Sequence, residues 1–446
     1  MKRAKSMLVW CLIFSMISMT ACTSAAPAQE SAPVESAPVE SANAAETVRI
    51  GVVYPMSGPQ AETGKQMVDE FQFACDIING SYPELAALGL PFADTEGIPN
   101  LGGAKLELVV ADDQNNPELG MSETERLITE EHVHVVLGCL NSGVTKTASA
   151  AAEKLGVPFL CPNSSSVELT NRGFEYFFRT CPNDATFIQD TYKYMDELNS
   201  NKNAGIKTIA LICEDTDYGA LLDNGFMETA EEAGYEIVKN IVYPANSTNV
   251  TSEVMKVIAA NPDAVIMGSY ASDAILFVNA FSQQDFVPKA IIGQRGGFVA
   301  VEFLEGLGKL ADGICTTNVW AEDLGDNNEL IRTLTEMYHK HCDEVGVDFN
   351  MDVARLFTAV FTLADVLNRT ESLEPDDLKE AFKATDIVNN NNMLVAWEGV
   401  KFGENGQNER CSGIVTQIQD GAYKTVWPTN MAASESMVPF PAWDGR

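Results

Sequence analysis

The chain has 446 residues, with 63 Asp and Glu against 29 Lys and Arg and a formal charge of −34. So acidic a composition offers no basic face to a phosphate backbone, which argues against nucleic acid as a partner. The length exceeds what one hydrophobic core usually supports, so at least two domains are expected.

Residues 1–21 open with Lys2, Arg3 and Lys5, run apolar from Met7 to Ile17 and end in Met19-Thr20-Ala21 before Cys22. This is the pattern of a bacterial secretion leader closing on a lipobox-like site, with Cys22 expected to carry the lipid and tie the protein to the membrane. Plain secretion with cleavage elsewhere is the alternative. Residues 22–46 are rich in Ser, Ala, Pro and Glu and contain SAPVE twice in tandem. They hold too few apolar groups to bury a core, so they read as a flexible tether.

From residue 48 the hydrophobic periodicity alternates between short apolar runs and amphipathic segments. Strand 48–53, helix 63–78, strand 106–110 and helix 117–131 lead into runs at 133–137 and 157–160. A second series follows residue 179, with strands at 206–213, 236–242, 264–267 and 290–292 and helices starting near Tyr218, Asn249 and Asp273. The alternation predicts an α/β fold of two Rossmann-like lobes, each around a central parallel sheet with right-handed crossovers. Residues 326–383 read as mainly helical, and 394–397, 413–418 and 423–427 as strands among turns. Of the ten cysteines, the eight beyond Cys22 show no disulfide framework, and several sit in apolar patterns where a thiol acts as a small hydrophobe.

The runs at 133–137 and 157–160 both end in small hydroxyl and amide residues, Asn141-Ser142-Gly143 and Asn163-Ser164-Ser165-Ser166. Two helix starts above one sheet edge would form an anion cradle from unpaired N–H groups, suited to a carboxylate. The same serines also suit ordinary helix caps. Tyr54, Tyr218 and Tyr270 follow strands, at the edge where open α/β sheets bind ligands, although each could equally close off a core.

Together with the opening IGVVYPMSGPQAETG, the acidic turn ADDQNNP and TIALICEDTDYG, these clusters resemble the type I periplasmic binding proteins of the branched-chain amino-acid (Leu/Ile/Val) family. The resemblance implies three interlobe crossovers, placed near 179–183, 316–319 and 389–394, and a cleft that closes on ligand about a hinge. The lobes would be 47–181 plus 318–391 and 182–317 plus 392–430, with 431–446 as a tail. It further implies a monomer that passes a carboxylate-bearing small molecule to ABC permease subunits. Ser142 and Ser165 would bind the carboxylate through hydroxyls and Asn163 through its backbone, with Tyr218, Tyr270 and Tyr54 around the ligand. Relatives often carry a disulfide where this chain has Asn115 and Asn141, so that bridge is expected to be missing. A sensory lipoprotein reading the same ligand for a membrane receptor or kinase is the alternative.

Relatives that bind α-amino acids place an acid after the strand equivalent to 290–293, whereas this chain has Arg295 there. A guanidinium favours a planar anion over an ammonium. Either Asp273 or Asp217 takes over the ammonium, or the ligand carries a second acid or no amine; the second option is preferred here, and Arg295 pairing with surface carboxylates remains open. No GxSxG, phosphate loop, GxGxxG after a strand or CxxC occurs, so no enzyme and no cofactor is expected. His132 and His134 would share one strand face, and His339 and Cys342 one helix face, but neither pair supplies the three or four ligands of a metal site. Glu214, Asp215 and Asp217 read as a solvated cleft rim, with a hydrolase using Glu214 and Asp217 as the remote alternative.

Overall fold

A computed structural model describes residues 47–349, 353–429 and 431–444. The leader, Cys22 and the tether fall outside the described residues. Strands β1 (Val48–Tyr54), β2 (Leu106–Asp112), β3 (Val135–Gly138), β4 (Phe159–Cys161) and β5 (Phe177–Arg179) form an all-parallel sheet in the order β2-β1-β3-β4-β5. Helices α1 (Ala61–Asn79), α2 (Pro83–Ala87), α3 (Pro117–Thr129) and α4 (Ser142–Leu155) accompany them. Alternation along β1 divides its side chains between two cores. Val48, Ile50, Val52 and Tyr54 pack with Met67, Phe71 and Ala74 of α1, while Val53 packs with Val144, Ala148 and Ala152 of α4.

The chain leaves β5 through α5 (Asp184–Lys202) and builds a second lobe. There β6 (Thr208–Glu214), β7 (Glu236–Tyr243), β8 (Ala264–Gly268), β9 (Ala290–Gly293) and β10 (Cys315–Asn318) alternate with α6 (Asp217–Thr229), α7 (Thr251–Ala260), α8 (Ala271–Gln283) and α9 (Val301–Leu307). The parallel part runs β7-β6-β8-β9-β10, which repeats the order of the first sheet. Strand β6 is TIALICE, buried from its second residue on, the continuous apolar run of a central parallel strand.

After β10 the chain returns to the first lobe as α10 (Glu329–Val345), α11 (Val353–Arg369) and α12 (Pro375–Lys383), with α11 buried along most of its length and packed on α1. Strands β11 (Asp386–Val388) and β12 (Gly399–Lys401) form a small antiparallel pair, and β13 (Ile414–Gln419) and β14 (Ala422–Trp427) complete the second sheet antiparallel to β10.

The third crossing therefore falls at 411–413 and not near 389–394. Residues 399–410 stay with the first lobe: Gln407 bridges to Arg179, Phe402 packs 5.3 Å from Phe178, and Asn408 donates to the Thr180 carbonyl. The apolar run 394–397 is no strand; Leu394, Val395 and Trp397 are buried as a core-filling loop. The segment after 430 is no loose tail either, because the Phe440 N–H reaches the Lys289 carbonyl at 2.7 Å and Trp443 Nε1 reaches the Phe286 carbonyl at 2.7 Å. His132 and His134 precede β3: His132 sits in a left-handed turn (φ 52°) and His134 Nδ1 accepts the Arg49 N–H, so they do not share a strand face.

Candidate functional site

A cavity of about 500 Å³ lies between the carboxyl edges of the two sheets and is walled by both lobes. In a sheet of order 2-1-3-4-5, the strands on either side of the topological switch point splay their following loops apart, which opens a crevice. The first lobe's switch point lies between β1 and β3, above which Ser142 begins α4; the second lobe's lies between β6 and β8, which end at Glu214 and just before Tyr270. Ser142, Glu214 and Tyr270 all line the cavity, as does Ser165.

In the first lobe's wall, the N-cap residue of α4, Asn141, makes no side-chain cap. Its amide is turned away to donate to Gln60 Oε1 at 2.6 Å and to Asn115 Oδ1, so Asn115 and Asn141 face each other as a hydrogen-bonded asparagine pair. The first-turn N–H groups of α4 are thus left for water or a ligand. The second hydroxyl cluster behaves differently from expectation. It opens only a 3-10 turn, Val167–Thr170, and no α-helix follows. Its loop is instead fixed from below by Arg179, fully buried, whose Nη1 donates to the Ser164 and Ser166 carbonyls at 3.1 and 2.6 Å and whose Nε donates to Gln407. One helix terminus plus one arginine-braced loop make the cradle.

Asn163 and Ser165 both line the cavity. The Asn163 carbonyl is taken by Arg355 Nη1 at 3.2 Å and its amide N–H lies against the Cys161 sulfur, so the side chain, resting on Met67 Sδ at 3.3 Å, is the part that faces the cleft. The Ser165 carbonyl accepts the Asp184 N–H at 2.8 Å and its hydroxyl lies on the Asp184 carboxyl. Burial pushes that carboxyl up to about 6 against the pull of the Ser165 hydroxyl and of Arg179 and Arg295.

In the second lobe's wall, Tyr218 donates its hydroxyl to the Gln294 carbonyl and stacks obliquely on Tyr270 at 5.4 Å between ring centres, so Tyr218 offers the cleft a ring more than a donor. Arg295 is 6 % exposed, lines the cavity and lies 4.9 Å over the Phe187 ring. The close approach behind it needs glycine: a Cβ on Gly297 would stand 2.1 Å from the Ala271 nitrogen. Glu214 is 1 % exposed, accepts from the Tyr270 N–H at 3.0 Å and from the Thr216 hydroxyl at 3.0 Å, and is pushed up to about 7, chiefly by burial.

Tyr54 does not join this constellation. It is fully buried edge-on to Phe71 at 5.5 Å, because the parity of β1 sends it to the α1 side of the sheet. Three residues that sequence reasoning did not place in the site do join or brace it: Arg355, Asp184 and Arg179. Glu214 had been assigned to a solvated rim, yet it is buried. The signal for Arg355 was available, as a charge inside the otherwise apolar run VARLFTAVFTLADVL. Among the described residues no group of three His, Cys, Asp or Glu side chains is placed to hold a metal ion, none of the eight described cysteines is in a disulfide, and no helix is long and apolar enough to cross a membrane. His339 pairs with Glu322 at 2.8 Å and His341 with Asp69 at 3.0 Å.

Two doubly wound lobes facing one another across a cleft, joined by three crossings, define a two-lobed binding protein of the α/β class. The family model described as Periplasmic binding protein matches residues 47–422, and the chain belongs to that family, in its type I, branched-chain amino-acid branch. The chain is 28 % identical over 395 residues to Leu/Ile/Val-binding protein homolog 8 of Brucella abortus, covering 87 % of this chain and 92 % of that one. It is 27 % identical over 405 residues to Leu/Ile/Val-binding protein homolog 7 of Brucella melitensis, covering 89 % and 96 %. Among solved structures, the leucine binding protein LivK of Thermotoga maritima superposes with a TM-score of 0.70 at 21 % identity, over 85 % of this chain and 97 % of that one. The branched-chain amino acid transporter substrate binding protein LivJ of Streptococcus pneumoniae, in complex with isoleucine, gives 0.67 at 20 %, over 88 % and 100 %. These relatives are binding proteins and not enzymes, and the family implies a location outside the cytoplasm.

Proposed function

We propose that the protein is a lipid-anchored extracytoplasmic solute-binding protein that hands a small carboxylate-bearing solute, an amino acid or a related organic acid, to an ABC importer. The observation that carries this reading is the α4 terminus, left without a side-chain cap at the same cavity that Asn163 and Ser165 line. A carboxylate there accepts from the Ser142 hydroxyl and from first-turn N–H groups, each a charge-assisted bond, and from the Ser165 hydroxyl once that hydroxyl turns away from the Asp184 carboxyl. Tyr218 and Tyr270 cover the ligand from the second lobe, and Arg295 stands in the same wall as a further donor. The printed names of the Brucella relatives and of the isoleucine complex support an amino-acid-sized solute. Cys22 supplies the anchor, the tether gives it reach, and the protein works as a monomer that closes about its crossings.

Uptake of labelled amino acids by cells lacking the protein tests the transport half, with restored uptake on complementation expected. Loss of membrane association on Cys22→Ala tests the anchor. Uptake unchanged by deletion for every solute that the purified protein binds would overturn the importer reading and leave the sensory alternative.

A further inference from the structure

Asp184 sits beneath the arginine-braced loop, at the point where the chain passes from the first lobe to the second. It is the first residue of α5 and is 2 % exposed. Its N–H donates to the Ser165 carbonyl at 2.8 Å, which ties the two backbones together, and the Ser165 hydroxyl lies on its carboxyl. Oδ2 of that carboxyl is buried and has no hydrogen-bond partner.

A hydroxyl has one proton to donate. While Asp184 is ionised that proton is spent on it, and Ser165 can turn only its lone pairs to an anion in the cleft. If the hydroxyl swings to the anion instead, Asp184 is left as a buried carboxylate short of donors, which costs as much as the new bond returns. A proton on Asp184 removes the conflict. The neutral acid becomes a donor to Ser165 Oγ, and the Ser165 hydroxyl donates to the anion, a relay in which each proton has an acceptor.

The groups around Asp184 leave it as the one that titrates. Arg179 at the end of β5 and Arg295 after β9 act on it as cations and favour its charge, as does the α5 terminus, while burial opposes them. Cys213, Tyr218 and Tyr270 feel the Asp184 charge, and burial holds all three well above their usual ranges, so they stay neutral near pH 7. An anion at Ser165 places a second negative charge beside a carboxyl that burial already pushes up to about 6, and like charges side by side favour the protonated form further.

We propose that binding of the solute's carboxylate brings a proton from solution onto Asp184, so that the protein takes up an anion and a proton together and holds its solute more tightly in acid than in base. The proposal rests on the solute-binding reading above. One carboxylate enters the cleft, one proton bonds to the Asp184 carboxyl, and the net charge of the cleft is unchanged. By linkage, proton and solute each favour the binding of the other by the same factor.

The test is calorimetric titration in phosphate and in Tris, whose heats of protonation differ, with leucine, glutamate, glutarate and 4-methylpentanoate as probes and wild type beside Asp184→Asn and Ser165→Ala. Asparagine keeps a donor for Ser165 Oγ, and a thermal melt confirms folding. A probe that binds is expected to bring more than about half a proton into the wild type near pH 7.5, and its dissociation constant is expected to rise about three- to tenfold from pH 7 to pH 8, since one linked proton is worth tenfold per unit. In Asp184→Asn, which lacks the acid, and in Ser165→Ala, which lacks the shared hydroxyl, uptake is expected to fall below about a fifth of a proton. A probe that binds wild type with no proton uptake and the same affinity at both pH values overturns the proton link, with no variant needed, and leaves solute binding standing. Uptake that persists in folded Asp184→Asn assigns the proton to another group and overturns it as well. Silence from every probe and all three proteins overturns the solute-binding reading and this proposal together.

Discussion

Thr63 of the first lobe donates its hydroxyl to Glu302 Oε1 of the second at 3.3 Å, a hydrogen bond that spans the mouth of the cleft. Glu302 Oε2 has no partner and both residues line the cavity, so the bond is a contact of the closed form more than part of either core. Glu302→Ala is expected to speed dissociation of the tightest-binding solute by about two- to tenfold, the span of a net hydrogen-bond contribution, while leaving the ligand-free melting temperature nearly unchanged. Stopped-flow displacement reads the rate. An unchanged rate would mean that the bond contributes nothing to closure.

Ser142 opens α4 beneath a cap residue whose side chain is committed elsewhere. Ser142→Ala is expected to weaken carboxylate binding by about 1.5–3 kcal/mol, the range for a hydrogen bond to a charged group, and to change folding stability by less than about 1 kcal/mol. Calorimetry and urea unfolding on the same sample separate the two. A stability loss larger than the affinity loss would make Ser142 a folding residue.

Arg179 is the opposite case. Its guanidinium is buried and spends its donors on the Ser164 and Ser166 carbonyls, Gln407 and Thr170. Arg179→Met leaves those carbonyls without a donor, and a loss of roughly 3–5 kcal/mol is expected, measured as the urea midpoint of the ligand-free protein. A shift below about 1 kcal/mol would show that the loop holds its shape without the arginine.

How much of this was legible in the sequence depends on which force set each feature. The parallel strands were readable because burial on both faces leaves an unbroken apolar run, as in β6. The run at 394–397 misled for the same reason: Val395 and Trp397 are apolar because they fill the core, and the tertiary contacts of Phe402, Gln407 and Asn408 with Phe178, Arg179 and Thr180 keep the following residues in the first lobe. Strand-end position marked Tyr218 and Tyr270 for the cleft but could not fix which way a side chain points, so Tyr54 was carried along although parity buries it on Phe71. Arg355 is distant from the two clusters in sequence, and its bond to the Asn163 carbonyl depends on α11 packing across the first lobe, which periodicity does not specify.

Burial raises the Glu214 carboxyl from 4.5 to about 7 and the Asp184 carboxyl from 3.8 to about 6. Each group keeps its proton in the folded chain at pH values where the unfolded chain has released it, so the folded state binds more protons between about pH 4 and 7 and stability falls as pH rises through that window. Without ligand, Glu214→Gln is expected to be relatively more stable than wild type at pH 7.5 than at pH 5, by at most about 3 kcal/mol. Urea unfolding at the two pH values measures the difference. A difference of zero, or of the opposite sign, would mean that Glu214 is ionised without cost in the folded protein.

Whether the cleft between Ser142 and Tyr270 takes a small carboxylate is tested most directly by the melting temperature of the purified protein against a panel of amino acids and organic acids, run beside Ser142→Ala. At a concentration of about a hundred times the dissociation constant, a true ligand adds about 2.7 kcal/mol of stability. The account predicts that at least one carboxylate raises the wild-type melting temperature by that measure and that the same compound raises it less in Ser142→Ala. A panel in which no carboxylate stabilises the wild type, or one in which the stabilisation is untouched by loss of Ser142, would contradict it.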